Sequence, residues 1–309
     1  MNKQILTVLC GLQCSGKSTW AKSTVEYDNR VVISSDEIRK EFPDYDNQKV
    51  FELLYKRMNN YLNEGKNVVI DATNITIKSR AQIFNNLKVD CYKEIIIFNT
   101  PYEICLERLK IRNKDENSHK VPEEVLRKYY ESFEIPFYEE GWDYIGFYNN
   151  ISYEDSKTYL TALNLQMEIF NQNNMHHTQL LGKHCKTVAK KIQEYSNDLN
   201  LINVGLYHDV GKLFTQTYKE NDPNAHYYNH ANVGTYELMC NAGIFDCHNE
   251  YDKKLTLDWL FYINYHMHMF NIKTEKAERK WRKIFGDTKF ENLQIINKAD
   301  KYRPENEEN

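Results

Sequence analysis

The sequence predicts an α/β domain over residues 1–150, built on a mostly parallel sheet of about five strands, followed over 151–309 by an all-α domain. Three observations carry this. In the first half, short apolar runs alternate with helical segments, which is the pattern of a parallel sheet covered on both faces. The stretch GLQCSGKST, Gly11 to Thr19, fits the phosphate-binding pattern G-x-x-x-x-G-K-[ST] and lies between a strand-like and a helix-like segment, the setting that motif requires. Beyond residue 175 no segment shows convincing strand alternation, and nine of the ten histidines fall there.

Each element follows in order. ILTVLC, Ile5 to Cys10, is a buried strand, and Ser18 to Val25 begins the helix after the loop. In that loop Gly11 and Gly16 let the backbone turn its amide N–H groups toward a phosphate, with Lys17 as the cation and Ser18 as the hydroxyl. VVIS, Val31 to Ser34, is a second strand ending at SSDEIR. Asp36 therefore sits beyond a strand's C-terminal end, on the ligand-binding edge of a parallel sheet. A helix from about Gln48 to Glu64 leads to a third strand, Val68 to Ile70, followed by Asp71, where P-loop enzymes carry the acid that orients magnesium. The next helix holds Arg80, and Glu94 to Thr100 is the fourth strand. Pro101 opens a helix with Arg108 and Arg112 on one face. Asn113 to Lys120 is a lid-like polar stretch, Val121 and Pro122 restart a helix, and Trp142 to Asn149 is the fifth strand.

Composition narrows the class. At 309 residues the chain exceeds the size of most single cores, so two domains are expected. With 41% hydrophobic residues, 11 glycines and 6 prolines it is helix-rich and compact, except for an acidic tail from Pro304 to Asn309. Seven cysteines without a C-x-x-C pair indicate reduced thiols in a cytoplasmic protein. No apolar run reaches the length of a membrane span, so no membrane partner is expected. The net charge of −4 divides evenly about residue 150. That excludes a broad basic surface for coating a duplex, though not a site gripping a few nucleotides.

Residues 1 to about 150 resemble the P-loop kinase domain of phage-type 5′ polynucleotide kinases involved in RNA end-healing. The resemblance runs through ILTVLCGLQCSGKSTWAK, SSDEIR, DATN, the Arg108 and Arg112 helix, and VPEEVLRKYYESF. It implies ATP or another NTP with magnesium as cofactors, bound by Gly11, Gly16, Lys17, Ser18, Thr19 and Asp71. Lys17 would hold the β- and γ-phosphates and Ser18 would ligate magnesium. Asp36 would be the general base on an acceptor 5′-hydroxyl, Arg39 would hold the neighbouring phosphate, and Arg112 would be the lid arginine on the transferring group. Arg80 and Arg108 are candidate substrate contacts. Arg39, Arg80 and Arg108 also read as surface helix charges, and Asp36 as a helix N-cap. Leu12-Gln13-Cys14 departs from the smaller residues or proline often found in such loops.

In the second half Leu160 to Phe170 reads as an amphipathic helix. The histidine clusters are HHTQLLGKHCKTVA, LYHDVGK, AHYYNHANVG and NYHMH, with a late carboxylate in NKADK. Imidazole with carboxylate suits manganese, iron, cobalt or nickel. In order, the set resembles the HD superfamily of metal-dependent phosphohydrolases. That resemblance implies six ligands, His184, His208, Asp209, His230, His266 and Asp300, with Asp209 bridging two transition-metal ions. His226 competes with His230, and His268 with His266. Lys212 would neutralise a substrate phosphate, or be a solvated charge; His177 would contact substrate. The basic stretch Lys273 to Lys283, with Trp281, reads as an amphipathic helix or as a single-strand contact.

Together the resemblances imply an RNA end-healing enzyme: 5′-hydroxyl phosphorylation joined to removal of a 3′-phosphate or 2′,3′-cyclic phosphate, on RNA or DNA ends, with a separate ligase as partner. Two other readings compete. One is a small-molecule or nucleoside kinase fused to an HD nucleotidase or deoxynucleotide hydrolase; the other is an NTP-binding sensor with a regulatory HD module.

Overall fold

A computed structural model of the chain describes residues 3–28, 30–115, 120–149, 151–174, 179–242 and 250–302. It divides into two compact units: residues 1–130 with 136–149, and residues 131–135 with 150–309. His177, residues 116–119 of the lid-like stretch and the Pro304–Asn309 tail lie outside the described residues.

The first unit is a five-stranded parallel sheet of β1 (Ile5–Cys10), β2 (Val31–Ser34), β3 (Val68–Asp71), β4 (Tyr92–Ile97) and β5 (Tyr144–Phe147), in the order β2-β3-β1-β4-β5. β1 is central, and Leu6, Val8, Leu9 and Cys10 are wholly buried. Order reverses at β1, so its C-terminal end opens on the crevice where parallel sheets bind ligands. The connecting helices are α1 (Lys17–Asp28), α2 (Ser35–Glu41), α3 (Asn47–Asn63), α4 (Ile77–Asn86), α5 (Tyr102–Arg112) and α6 (Glu123–Glu131). Their starts are written locally. Ser34 and Asp46 cap α2 and α3, and Thr76 with Ser79 forms a capping box on α4, each oxygen satisfying an N–H that the helix cannot. Ser34, not Asp36, is thus the cap of its helix. β4 and β5 end short of the expected Thr100 and Asn149 because Asn99 and Asn149 leave the ladder to bond each other.

The second unit is helical: α7 (Tyr153–Ile169), α8 (Leu181–Gln193), α9 (Leu199–Tyr207), α10 (Lys212–Thr215), α11 (His230–Asn241), α12 (Glu250–Tyr265), α13 (His268–Asn271), α14 (Glu275–Phe285) and α15 (Asp287–Asp300). α8 packs on α7 and α9, α12 on α9 and α11, and α15 across α8 and α9. The expectation of an all-helical second half is corrected by a hairpin, β6 (Gln216–Tyr218) and β7 (Ala225–Tyr227), paired antiparallel. Strands of three residues are too short to display a period of two. Their turn is held by Asn221 at a φ of 63° and by Asp222 accepting from Asn224 and bonding His226. Leu160 to Ile169 is the latter part of α7 and Phe170 its extended C-cap; Leu163 and Met167 are buried but Leu165 and Ile169 are exposed, so the apolar stripe is narrower than expected.

Glu131–Ile135 belongs to the helical unit although it lies within the first 150 residues. Asn264, itself buried, accepts from the Ile135 N–H at 2.8 Å and donates to the Phe133 carbonyl at 3.2 Å. Phe133 meets Tyr236 edge to face at 5.1 Å. Such a tether has no local sequence signal.

Candidate functional site

In the first unit the loop between β1 and α1 is shaped by backbone conformations that few residues accept. Gly16 has a φ of 104°, where a side chain would be strained, and Cys14 has a φ of 61°. The Lys17 ammonium lies within the loop, donating to the Gly11 and Leu12 carbonyls at 2.9 and 2.6 Å. Burial lowers its pKa, against the opposing charge of Asp71. Asp71, at the end of β3, has its own pKa raised by burial, against the Ser18 hydroxyl bonded to it and the Lys17 charge. A hydroxyl and a carboxylate side by side are the oxygen pair that holds magnesium in such loops.

Two cavities meet at Ser18. One, of about 740 Å³, is lined by Cys14 to Thr19, Thr100, Arg108, Arg112 and Tyr148. The other, of about 800 Å³, is lined by Ser18 and Asp71 together with Asp36, Arg39, Tyr45, Arg57 and Arg112. Ser18 and Arg112 border both. The second cavity carries five basic side chains, Lys22, Arg39, Lys40, Arg57 and Arg112, against three carboxylates, Asp36, Glu37 and Asp71, although the chain as a whole has a net charge of −4. Arg39 bonds Asp36 at 3.2 Å and Asn47 at 2.8 Å. Arg108 reaches the Cys14 carbonyl at 3.3 Å. Lys22, which sequence reading did not single out, follows Ser18 by one helical turn, a spacing that could have found it. Arg57 and Tyr45 come from α3 and the turn before it, with no local signal.

Arg80 is a correction. Expected as a substrate contact or an exposed charge, it is fully buried, paired with Glu140 at 2.6 and 2.7 Å and donating to the Asn74 carbonyl at 3.2 Å. It lines neither cavity. Arg80→Ala leaves the Glu140 carboxylate buried beside Trp142 and should cost the first unit about 3–5 kcal/mol, read by urea unfolding. A stability near wild type, with weakened substrate affinity, would return Arg80 to the substrate.

In the second unit six side chains converge. Asp209 divides its oxygens between two groups of imidazoles. Oδ2 lies 3.3 Å from His184 Nε2 and 3.4 Å from His208 Nε2, and Asp300 Oδ1 faces the same two nitrogens at 3.2 and 3.5 Å. Oδ1 lies 3.1 Å from His230 Nε2 and 3.7 Å from His266 Nε2. The atoms form two sets of metal-binding dimensions that share Asp209. Three rings are oriented from behind: His208, His230 and His266 turn Nδ1 to the carbonyls of Gly205, Tyr227 and Ile263 at 3.0, 2.9 and 2.7 Å. With the proton on Nδ1, Nε2 is a bare lone pair, the state of a metal-binding imidazole. His208 Nε2 is buried and makes no well-aligned hydrogen bond, with only the Asp209 and Asp300 oxygens at 3.4 and 3.5 Å before it, a costly arrangement unless another acceptor of its lone pair is present. This donor set fits a pair of transition-metal ions.

The fold explains the convergence. His208 and Asp209 follow α9, His184 is on α8, Asp300 ends α15, His230 opens α11 and His266 follows α12. Gly211 lets α11 approach: a Cβ there would lie 1.9 Å from the His230 carbonyl. The competing histidines are elsewhere. His226 bonds Asp222 at 2.9 Å in the hairpin. His268 packs against Trp281 at 4.8 Å between ring centroids, and burial pulls its pKa down to about 4.

Lys212 corrects the solvated-charge reading: it is buried, 2.6 Å from Asp209 Oδ2 and 2.8 Å from Gln172 Oε1. Burial alone would raise the Asp209 pKa, but Lys212 and His208 outweigh it and hold the carboxyl well below the usual range. Gln172, buried forty residues before Lys212, is a member of this site that sequence reading missed. Trp281 lies on α14, half-buried against Phe285 at 4.9 Å, as an amphipathic helix requires.

The sheet order, the loop and its acid define the first unit as a P-loop kinase fold. Residues 6–136 match the model of the AAA domain family. Among curated proteins, the chain is 30% identical over 151 residues to the L-seryl-tRNA(Sec) kinase of Methanococcus maripaludis, covering 45% of this chain and 56% of that one. It is 29% identical over 147 residues to a protein of Acanthamoeba polyphaga mimivirus named as a bifunctional polynucleotide phosphatase/kinase, covering 46% of this chain and 32% of that one. The chain thus spans about half of the first relative and a third of the second. Among solved structures, a chain of the Pnkp1/Rnl/Hen1 RNA repair complex matches at 24% identity over 42% of this chain and 43% of that chain, with a TM-score of 0.38. No described helix is long and apolar enough to cross a membrane.

Proposed function

We propose that this chain heals broken RNA ends, phosphorylating a 5′-hydroxyl in the first unit and removing a 3′-phosphate or 2′,3′-cyclic phosphate in the second. The observation that carries the first activity is the pair of cavities meeting at Ser18 and Arg112, one around the phosphate loop and one around Asp36 and Arg39. Phosphoryl transfer needs a donor and an acceptor aligned across shared positive charge. The loop N–H groups and Lys17 would hold the β- and γ-phosphates of ATP, and Ser18 with Asp71 would hold magnesium, which when bound would neutralise the phosphate oxygens. Asp36 takes the proton of the attacking hydroxyl as the oxygen bonds phosphorus and the β–γ bridge breaks. Arg39 holds the phosphate next to that hydroxyl, and Arg112 steadies the group in transfer. Excess positive charge in the acceptor cavity favours an anionic acceptor. Of the two curated relatives, the one named for a polynucleotide supports this acceptor directly, and the one named for a seryl-tRNA supports only an acceptor that includes RNA.

For the second activity, the six-residue cluster supports an HD-type phosphoesterase. His184, His208, Asp209 and Asp300 would hold one transition-metal ion, and Asp209, His230 and His266 the other. Two such ions, when bound, stabilise both the entering and the departing oxygen at phosphorus. Asp209 offers one oxygen to each side, and Lys212 adds a positive charge beside it. A strand treated by both units carries the 5′-phosphate and 3′-hydroxyl that a separate ligase joins.

The test is a short RNA with a 5′-hydroxyl and a 3′-phosphate or 2′,3′-cyclic phosphate, incubated with ATP, magnesium and a panel of manganese, nickel, cobalt and iron, beside its DNA counterpart. Gain of the 5′-phosphate and loss of the 3′-phosphate on one strand is the expected result. Hydrolysis of mononucleotides or deoxynucleoside triphosphates, with the RNA 3′ end still blocked under every metal, would replace this reading with a small-substrate enzyme.

A further inference from the structure

The wall of the acceptor cavity holds an aromatic platform that phosphoryl transfer does not itself require. Phe42, Pro43, Asp44 and Tyr45 join α2 to α3 in a turn closed by the Tyr45 N–H donating to the Phe42 carbonyl at 3.1 Å. Proline at the second position and aspartate at the third suit a tight turn. The turn sets the first and fourth residues side by side, and the Phe42 and Tyr45 rings stack at 4.6 Å between centroids and 15° between planes. Phe42 backs Tyr45, yet Tyr45 remains 38% exposed and lines the same cavity as Asp36 and Arg39. A ring fixed by a proline turn and a stacked neighbour presents a flat surface with little entropy left to lose on binding.

We propose that Tyr45 stacks on the unpaired base of the acceptor's 5′-terminal nucleotide while Arg39 holds its phosphate. This rests on the polynucleotide kinase reading and deepens it. A π-face beside cationic side chains recognises a nucleotide by base and phosphate together, tolerating any base. It favours frayed or single-stranded ends, where the terminal base is free to leave its partner. A sugar or other aliphatic acceptor has no aromatic base to stack there.

The experiment compares wild type, Tyr45→Ala, Tyr45→Phe and Tyr45→Trp on two single-stranded RNAs with 5′-hydroxyl ends, one complete and one abasic at the 5′-terminal nucleotide. ATP affinity reports that each variant is folded. Tyr45→Ala should raise KM for the complete strand on the order of tenfold, and Tyr45→Phe and Tyr45→Trp should stay close to wild type. On the abasic strand wild type should lose about the same factor, and Tyr45→Ala should add no further loss. An unchanged KM in Tyr45→Ala, or an equal loss on both strands, would overturn the stacking proposal while leaving the kinase reading in place. If wild type phosphorylates a small-molecule hydroxyl and no polynucleotide end, both fall.

Discussion

Asp36→Ala should slow phosphate transfer to a 5′-hydroxyl by about 10²–10⁴-fold, the range of a lost general base, while phosphoester hydrolysis at the second unit is unchanged. The structure makes this a clean substitution. Asp36 does not cap α2, since the Ser34 side chain does, so the helix keeps its start. Arg39 loses one partner and retains Asn47. ATP affinity should hold, because Lys17 and the loop N–H groups lie in the other cavity. Asp36→Asn keeps the shape and removes the basicity, and should match the alanine variant. Lys17→Ala should abolish the same activity by a different route, through ATP binding as well as transfer. Single-turnover transfer from labelled ATP measures each. An Asp36→Asn variant with transfer near wild type would remove Asp36 from the reaction.

Asp209→Ala should strip the second unit of its metal and stop phosphoester hydrolysis, with a loss on the order of a thousandfold, while 5′-phosphorylation continues. Among the described residues Asp209 is the one common to both groups of candidate ligands, so its removal would take a ligand from each proposed ion. Metal analysis of purified protein should find about two transition-metal ions per chain, falling sharply in the variant. The substitution also leaves Lys212 buried without its carboxylate, which should destabilise the helical unit by about 3–5 kcal/mol. Asp209→Asn combined with Lys212→Met removes that burden and separates lost metal from lost fold. Metal content unchanged by either variant would count against the cluster as a metal centre, and loss of 5′-phosphorylation in the folded double variant would mean that the two activities are not separable.

Much of the first unit was legible because its signals are local. The loop pattern, the strand before it and the acid ending β3 each lie within one element and its neighbour. The order of histidines and carboxylates in the second half was legible in the same way. What a residue's neighbours in sequence could not reveal was which of two nearby histidines turns inward. His230 follows Asn229, held in the left-handed region at a φ of 59°, and starts a helix at the cluster, while His226 stays in a hairpin whose strands are too brief to announce themselves. His266 and His268 are two residues apart at a helix end, so they point to different sides, and only the packing of α12 chose between them.

The sequence by itself determined the phosphate loop, the alternation that makes a parallel sheet, and the chemical types available to the second cluster, because these depend on backbone propensity and on residues a few positions apart. Tertiary structure decided what depends on distant partners. Arg80 is an internal strut because Glu140 meets it from sixty residues away. Lys212 is buried because Asp209 and Gln172 surround it, and Tyr45 faces the acceptor cavity because α2 and α3 bring its turn there. Burial and charge pairing are properties of the space between elements, and a one-dimensional pattern holds no record of that space.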